Sequence, residues 1–77
     1  MLKDENFGET LAKTLKEERL KRGISHEKLS EKSGVSRPAI SHIESGQRNP
    51  SMKVVFKLVQ AMNMTMEEFS RKMEGKS

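Results

Sequence analysis

Residues 26–45 have the sequence HEKLSEKSGVSRPAISHIES, which carries the signals for two short helices joined by a tight turn. Gly34 lies between the two segments, where the turn requires a residue that tolerates a positive φ angle. Ser30 is small, so the two helices can approach each other closely. Apolar anchors for a shared core lie on both sides of the turn, at Leu29, Val35, Ile40 and Ile43. The polar residues of the second segment are then left on its outer face, which predicts a helix-turn-helix.

The segment before this motif is predicted to form a first helix. Apolar residues recur every four positions on one face of it, at Phe7, Leu11 and Leu15. Arg19 continues the same row, which indicates partial burial, and Gly23 is suited to end the helix. Residues 1–6 have mixed charge without periodicity, so we expect a disordered leader there.

Serine residues mark the starts of the two helices in the motif. Ser25 is predicted to cap a helix over residues 26–33, and Ser36 to cap one from Arg37 to about residue 45. Pro38 fits the first turn of that third helix, because the backbone N–H that proline lacks has no partner within the helix there.

Two more helices are predicted after a polar loop at residues 47–50. A fourth helix, capped by Ser51, has a broad apolar stripe that consists of Met52, Val55, Phe56, Leu58, Val59 and Met62. A fifth starts at a capping box of Thr65 and Glu68. No segment alternates with the period of a strand, so the expected fold is all-α, with one five-helix domain over residues 7–74 and a disordered tail over residues 75–77.

Composition excludes several kinds of site and function. The 77 residues include no cysteine and two histidines, so disulfides and a structural zinc site are excluded, and no metal or other cofactor is expected. No apolar run approaches the length of a transmembrane helix. The sequence lacks a nucleophile with a base, paired carboxylates on an apolar face and a glycine-rich phosphate loop. These gaps argue against an enzyme. The net charge of +4 fits a polyanionic partner but is a weak signal alone.

From about Leu11 to Phe69 the chain resembles the Cro and phage-repressor family of bacterial regulators, also called the XRE family. The resemblance rests on Gly23-Ile-Ser, Gly34-Val-Ser-Arg, Ile43-Glu-Ser-Gly, Arg48-Asn-Pro-Ser and Met64-Thr-Met-Glu-Glu-Phe. It implies a lambda-repressor-like domain of five helices in which the third helix reads the major groove of double-stranded DNA.

The resemblance also implies roles for individual residues. Base contacts are expected from Arg37, Pro38, Ser41 and His42. Arg37 is the strongest candidate, because a planar guanidinium can bind O6 and N7 of guanine together; for His42, a surface position without DNA contact is the alternative. Contacts to the DNA backbone are expected from His26, Ser36, Gln47, Arg48 and Asn49. For His26 and Arg48, a surface position without DNA contact is the alternative. The family usually has a polar residue at the position of Pro38 and glutamine at that of His26.

Two expectations concern architecture. Arg19 and Glu44 occupy positions that form a buried ion pair in some phage repressors, and a buried guanidinium needs a carboxylate partner. A homodimer through helices four and five is also expected. One recognition helix reads only a few base pairs, and these two helices carry more apolar residues than a core of this size needs.

Two functional classes follow. The first is a cytoplasmic regulator on a bacterial or phage operator, a repressor or a restriction–modification controller, without a small-molecule effector or a membrane partner. The second is an antitoxin or adaptor whose main partner is another protein. It ranks lower, because residues 70–77 offer little beyond the domain for such a partner.

Overall fold

The computed structural model describes residues 4–75, with side chains from Phe7 onward, and this part of the chain contains five α-helices and no strand. The helices are α1 (Asp4–Lys21), α2 (His26–Ser33), α3 (Arg37–Glu44), α4 (Met52–Ala61) and α5 (Met66–Glu74). α2 packs on α3 and α4, while α1 packs on α3 and α5. The predicted all-α fold of five helices is confirmed.

Both ends of the domain differ from the prediction. α1 begins at Asp4, so the expected disordered leader is wrong for residues 4–6, and residues 1–3 lie outside the described part. Gly75 caps α5 through a hydrogen bond to the carbonyl of Arg71, and the rest of the expected tail lies outside the described residues.

Four helices begin at the predicted caps. The caps Ser25, Ser36, Ser51 and Thr65 each accept a hydrogen bond from a backbone N–H three residues later, at 3.0 to 3.2 Å. Glu68 completes the capping box, because its Oε1 accepts the backbone N–H of Thr65 at 2.9 Å. These bonds satisfy amide groups that have no partner within their helix.

The turn between α2 and α3 depends on Gly34. Its φ angle is 78°, in the left-handed region, and its N–H donates to the carbonyl of Ser30 at 2.8 Å. A side chain is strained in that conformation, whereas glycine is not. The next backbone amide, that of Val35, donates to Oγ of Ser33 at 3.1 Å. These two hydrogen bonds stabilise the conformation of the turn that connects α2 to α3.

The core contains apolar side chains from all five helices and the turns between them. It consists of Leu11, Leu15, Leu29, Val35, Ile40, Ile43, Val55, Leu58, Val59, Met62, Met64, Phe69 and Met73. Full burial of one such side chain stabilises the fold by roughly 1.5–3 kcal/mol.

Some residues of the predicted apolar rows are outside this core. Phe7 is 46% exposed, Phe56 47% and Met52 69%. The stripe on α4 is therefore wider than the surface its neighbouring helices cover.

Candidate nucleic-acid interface

α3 has one buried and one exposed face. Ile40 and Ile43 are buried against the other helices. The exposed face carries the four residues predicted to read bases, Arg37, Pro38, Ser41 and His42. Ser36, also exposed, accepts the backbone N–H of Ala39 and fixes the start of the helix. The helix thus presents short polar side chains and one guanidinium on a rigid outer surface, a shape suited to the major groove.

Arg19 and Glu44 form a buried ion pair that joins α1 to α3. Nε of Arg19 donates to Oε2 of Glu44 at 2.7 Å, and Nη2 donates to Oε1 at 3.0 Å. The third donor, Nη1, bonds the carbonyl of Ile24 at 2.8 Å. The two side chains are only 9% and 6% exposed. This bidentate contact holds the end of α3 against α1.

The surroundings of Glu44 keep it charged. Burial alone would raise the pKa of this carboxyl, but hydrogen bonds from Arg19 and His26 outweigh burial and lower the pKa below its usual range. Glu44 is therefore a carboxylate at neutral pH and accepts hydrogen bonds without donating any.

His26, the first residue of α2, is the third member of this cluster. Its Nε2 lies 2.9 Å from Oε1 of Glu44, and its side chain is partly exposed. His26 also lines a surface depression together with Arg37, Pro38 and Ser41, all predicted base-reading residues. His26, an expected DNA-backbone contact, thus lies beside the exposed face of α3 and is hydrogen bonded to the Arg19–Glu44 ion pair. Sequence reasoning missed this bond.

The loop after α3 presents the other expected backbone contacts. Gln47, Arg48 and Asn49 are exposed. The amides of Gln47 and Arg48 both donate to the carbonyl of His42, at 2.9 and 3.2 Å, so the loop is tied to the end of α3. Arg48 and Asn49 line a groove with Ser36 and with Lys57 of α4, a cation that sequence reasoning did not single out.

Comparison with known proteins agrees with this geometry. A family model described as helix-turn-helix matches residues 15–73, most of the chain. The chain belongs to the XRE-type helix-turn-helix family. Proteins of this family are DNA-binding transcriptional regulators.

Relatives of this XRE-type protein carry names of the same kind. The HTH-type transcriptional regulator YgzD of Bacillus subtilis is 41% identical over 54 residues, which cover 70% of this chain and 82% of YgzD. An HTH-type transcriptional regulator of Haemophilus influenzae is 35% identical over 65 residues, which cover 84% of this chain and 66% of that protein.

Two solved structures share the fold of the XRE-type chain. The restriction-modification controller protein C.AhdI of Aeromonas hydrophila superposes with a TM-score of 0.74 at 33% identity, over 78% of this chain and 91% of C.AhdI. The clp gene regulator ClgR of Corynebacterium glutamicum gives a TM-score of 0.80 at 22% identity, over 87% of this chain and 71% of ClgR.

A second buried carboxylate of the XRE-type chain was also missed by sequence reasoning. Glu18 of α1 is 1% exposed and accepts hydrogen bonds from Nη1 of Arg22 at 2.7 Å and from Lys21 at 3.2 Å. Arg22 also donates, through Nε, to the carbonyl of Met62 at the end of α4. Burial would raise the pKa of Glu18, but these hydrogen bonds lower it. The spacing of Glu18 and Arg22, i and i+4, is the one sequence signal for this cluster.

The described part of the XRE-type chain has neither a membrane-spanning helix nor a metal-binding cluster. No helix between residues 4 and 75 is long and apolar enough to cross a membrane. In the same range, no three histidine or acidic side chains lie close enough together to hold a metal ion.

Proposed function

We propose that the chain is a sequence-specific regulator that binds a palindromic operator as a homodimer. Its action is that of a repressor or of a restriction–modification controller, in a bacterial or phage-infected cytoplasm. The observation that carries this proposal is the outer face of α3, where four exposed side chains project from a helix whose other face is buried. No small-molecule effector is part of the proposal.

The base-reading roles follow from side-chain chemistry. Arg37 can bind O6 and N7 of guanine, while Ser41 and His42 each offer a single hydrogen bond to a base edge. Pro38 has no donor and contributes van der Waals contact, for which a thymine methyl is the natural partner.

The roles at the DNA backbone follow from position. Expected phosphate contacts surround the exposed face of α3, from His26, Ser36, Gln47, Arg48 and Asn49. Arg48 is the one residue in this group with a permanent charge, and charge neutralisation dominates affinity for any duplex. We therefore assign Arg48 to affinity and Arg37 to sequence preference.

The homodimer is proposed to form through α4 and α5. An apolar groove in this region is lined by Phe7, Leu11, Pro50, Met52, Val55, Met66, Phe69, Ser70 and Met73. Met52 is the most exposed of its large apolar side chains. Covering this surface with a second copy would remove apolar area from water and would give the assembly two recognition helices. The likeness to C.AhdI, named as a restriction-modification controller protein, supports a regulator of this kind.

Selection of bound sites from random duplex DNA tests this function directly. We expect enrichment of a palindrome whose half-sites are centred about 34 Å, or one helical turn, apart. Enrichment of a single asymmetric site would contradict the homodimer on a palindrome. Absence of any enriched sequence would contradict sequence-specific binding and favour a function centred on a protein partner.

A further inference from the structure

We infer that His26 contacts a DNA phosphate only in its protonated form, so that DNA binding takes up a proton at this residue. The inference rests on the proposed function, because it needs a duplex against the face formed by α2 and α3. It adds control of DNA binding by pH to that function. The hydrogen bond between His26 and Glu44 makes this control possible, because it engages Nε2 of the ring.

Glu44 determines which ring nitrogen of His26 carries the proton. Its carboxylate already accepts two hydrogen bonds from Arg19 and can only accept from His26 as well. Nε2 must therefore be the donor in the 2.9 Å contact. In the neutral ring the other nitrogen, Nδ1, then has a lone pair and no hydrogen.

Nδ1 of His26 changes from an acceptor to a donor when the ring is protonated. No residue between positions 4 and 75 hydrogen bonds to Nδ1, and the ring borders the depression shared with Arg37 and Ser41. Phosphate oxygens accept hydrogen bonds. A neutral His26 has only the lone pair of Nδ1 to offer a phosphate, whereas a protonated His26 can donate a charge-assisted hydrogen bond from Nδ1.

Charges from three helices act on this ring. Arg19 of α1 and Arg37 of α3 oppose protonation, as does the positive end of the α2 dipole. Glu44 favours protonation, but Arg19 already occupies both of its oxygens. A phosphate placed beside the ring would add a negative charge that is absent from the free protein. The bound state should therefore hold the proton more tightly than the free state, which is the condition for proton uptake.

The chain allows a clean experiment because it has only two histidines. We would measure the affinity for a mixed-sequence 20-base-pair duplex at pH 6.0 and pH 8.0, at constant low salt, for the wild type, His26→Gln and His42→Gln. The wild type and His42→Gln should bind about tenfold more tightly at pH 6.0, the effect of gaining one charge-assisted hydrogen bond. His26→Gln should lose this difference, because an amide donor does not titrate.

If His26→Gln folds poorly, two measurements on the unmodified chain still test whether His26 takes up a proton on DNA binding. Calorimetry in two buffers of different ionisation enthalpy should show uptake of a fraction of a proton, approaching one, at pH 7.5. The 15N NMR chemical shifts of the His26 ring in the free protein at pH 8 should identify Nε2 as the protonated nitrogen.

The outcomes separate the inference from the function. Equal wild-type affinity at both pH values, an unchanged pH effect in His26→Gln, no proton uptake, or a proton on Nδ1 would each overturn the inference and leave DNA binding standing. Failure to bind any duplex at either pH would overturn the proposed function itself.

Discussion

Arg37 and Arg48 are residues of the same type, but their positions predict different roles. Arg37 begins the exposed face of α3, whereas Arg48 lies in the loop behind it and borders a groove. A base edge differs from site to site, but a phosphate is the same everywhere along the duplex. Their substitutions should therefore have different signatures in DNA binding.

Arg37→Ala should reduce the preference for the selected operator over random DNA by about ten- to a hundredfold, the worth of one bidentate base contact. Arg48→Ala should weaken binding to all sequences and reduce the salt slope of the affinity by about one unit. Titration of both variants against operator and random duplexes at several salt concentrations measures both effects. Equal losses on the two DNAs for Arg37→Ala would make it a phosphate contact.

Glu44→Ala tests the buried ion pair. Removal of the carboxylate leaves the guanidinium of Arg19 buried without its partner, so the free energy of unfolding should fall by about 3 kcal/mol. Glu31→Ala is the matched control, because the exposed pair of Glu31 with Lys28 should contribute under about 1 kcal/mol. Urea denaturation of the wild type and both variants measures these losses in the free energy of unfolding. Equal losses would mean that burial does not distinguish the two pairs.

Acid should destabilise the fold through glutamates that hydrogen bonds hold in the charged form. The pKa values of Glu18 and Glu44 are both lowered from 4.5 in the folded state. The stability they contribute is complete above about pH 4.5 and is lost as the pH falls through their folded pKa values. The urea midpoint should therefore fall as the pH is lowered below about 4.5. A Glu44→Gln variant that keeps the full acid dependence would contradict the contribution of Glu44.

At the scale of the helix, α1 contains a glycine that no turn requires. Gly8 lies within α1, and a Cβ built on it would lie 3.2 Å from Oδ1 of Asn49. Asn49 is exposed, so its side chain has room to rotate away. The loop that carries Arg48 thus rests against α1 at a position where the sequence has no side chain.

Gly8→Ala should raise the free energy of unfolding by about 0.5–1 kcal/mol, because alanine loses less backbone entropy than glycine in a helix. Thermal denaturation measures the change, with Gly34→Ala as the contrasting variant. Gly34→Ala should destabilise, since its φ of 78° strains a residue with a Cβ. A lower melting temperature for Gly8→Ala would show that the contact of Asn49 with α1 is rigid.

At the scale of the whole molecule, the exposed apolar surface on α4 and α5 bears on the oligomeric state. Met52→Lys should dissociate the proposed homodimer, because it would bury a charge in the interface. Leu20→Lys is the matched control, since Leu20 is 56% exposed on α1 and does not line the apolar groove. Sedimentation equilibrium of the wild type and both variants provides the test. A monomeric wild type, or equal dissociation by both variants, would exclude this interface.

Features that depend on neighbours within about four residues could be predicted from the sequence. The caps Ser25, Ser36, Ser51 and Thr65, the turn at Gly34 and the buried face of α3 are all of this kind. Hydrogen bonds within one turn and the 3.6-residue period determine them, and both are visible in a linear sequence. The Arg19–Glu44 pairing was predicted through the family resemblance, since its partners are 25 residues apart.

The sequence by itself thus determined the five helices, the starts of α2 to α5 and the exposed face of α3. Only the tertiary structure decided that His26 bonds Glu44 across 18 residues, and that Arg22 reaches the carbonyl of Met62 across 40. It also decided that Phe7 and Met52 lie outside the core. The physical reason is that these contacts depend on how the helices cross, and the crossing is set by packing of the whole core, which no local pattern records.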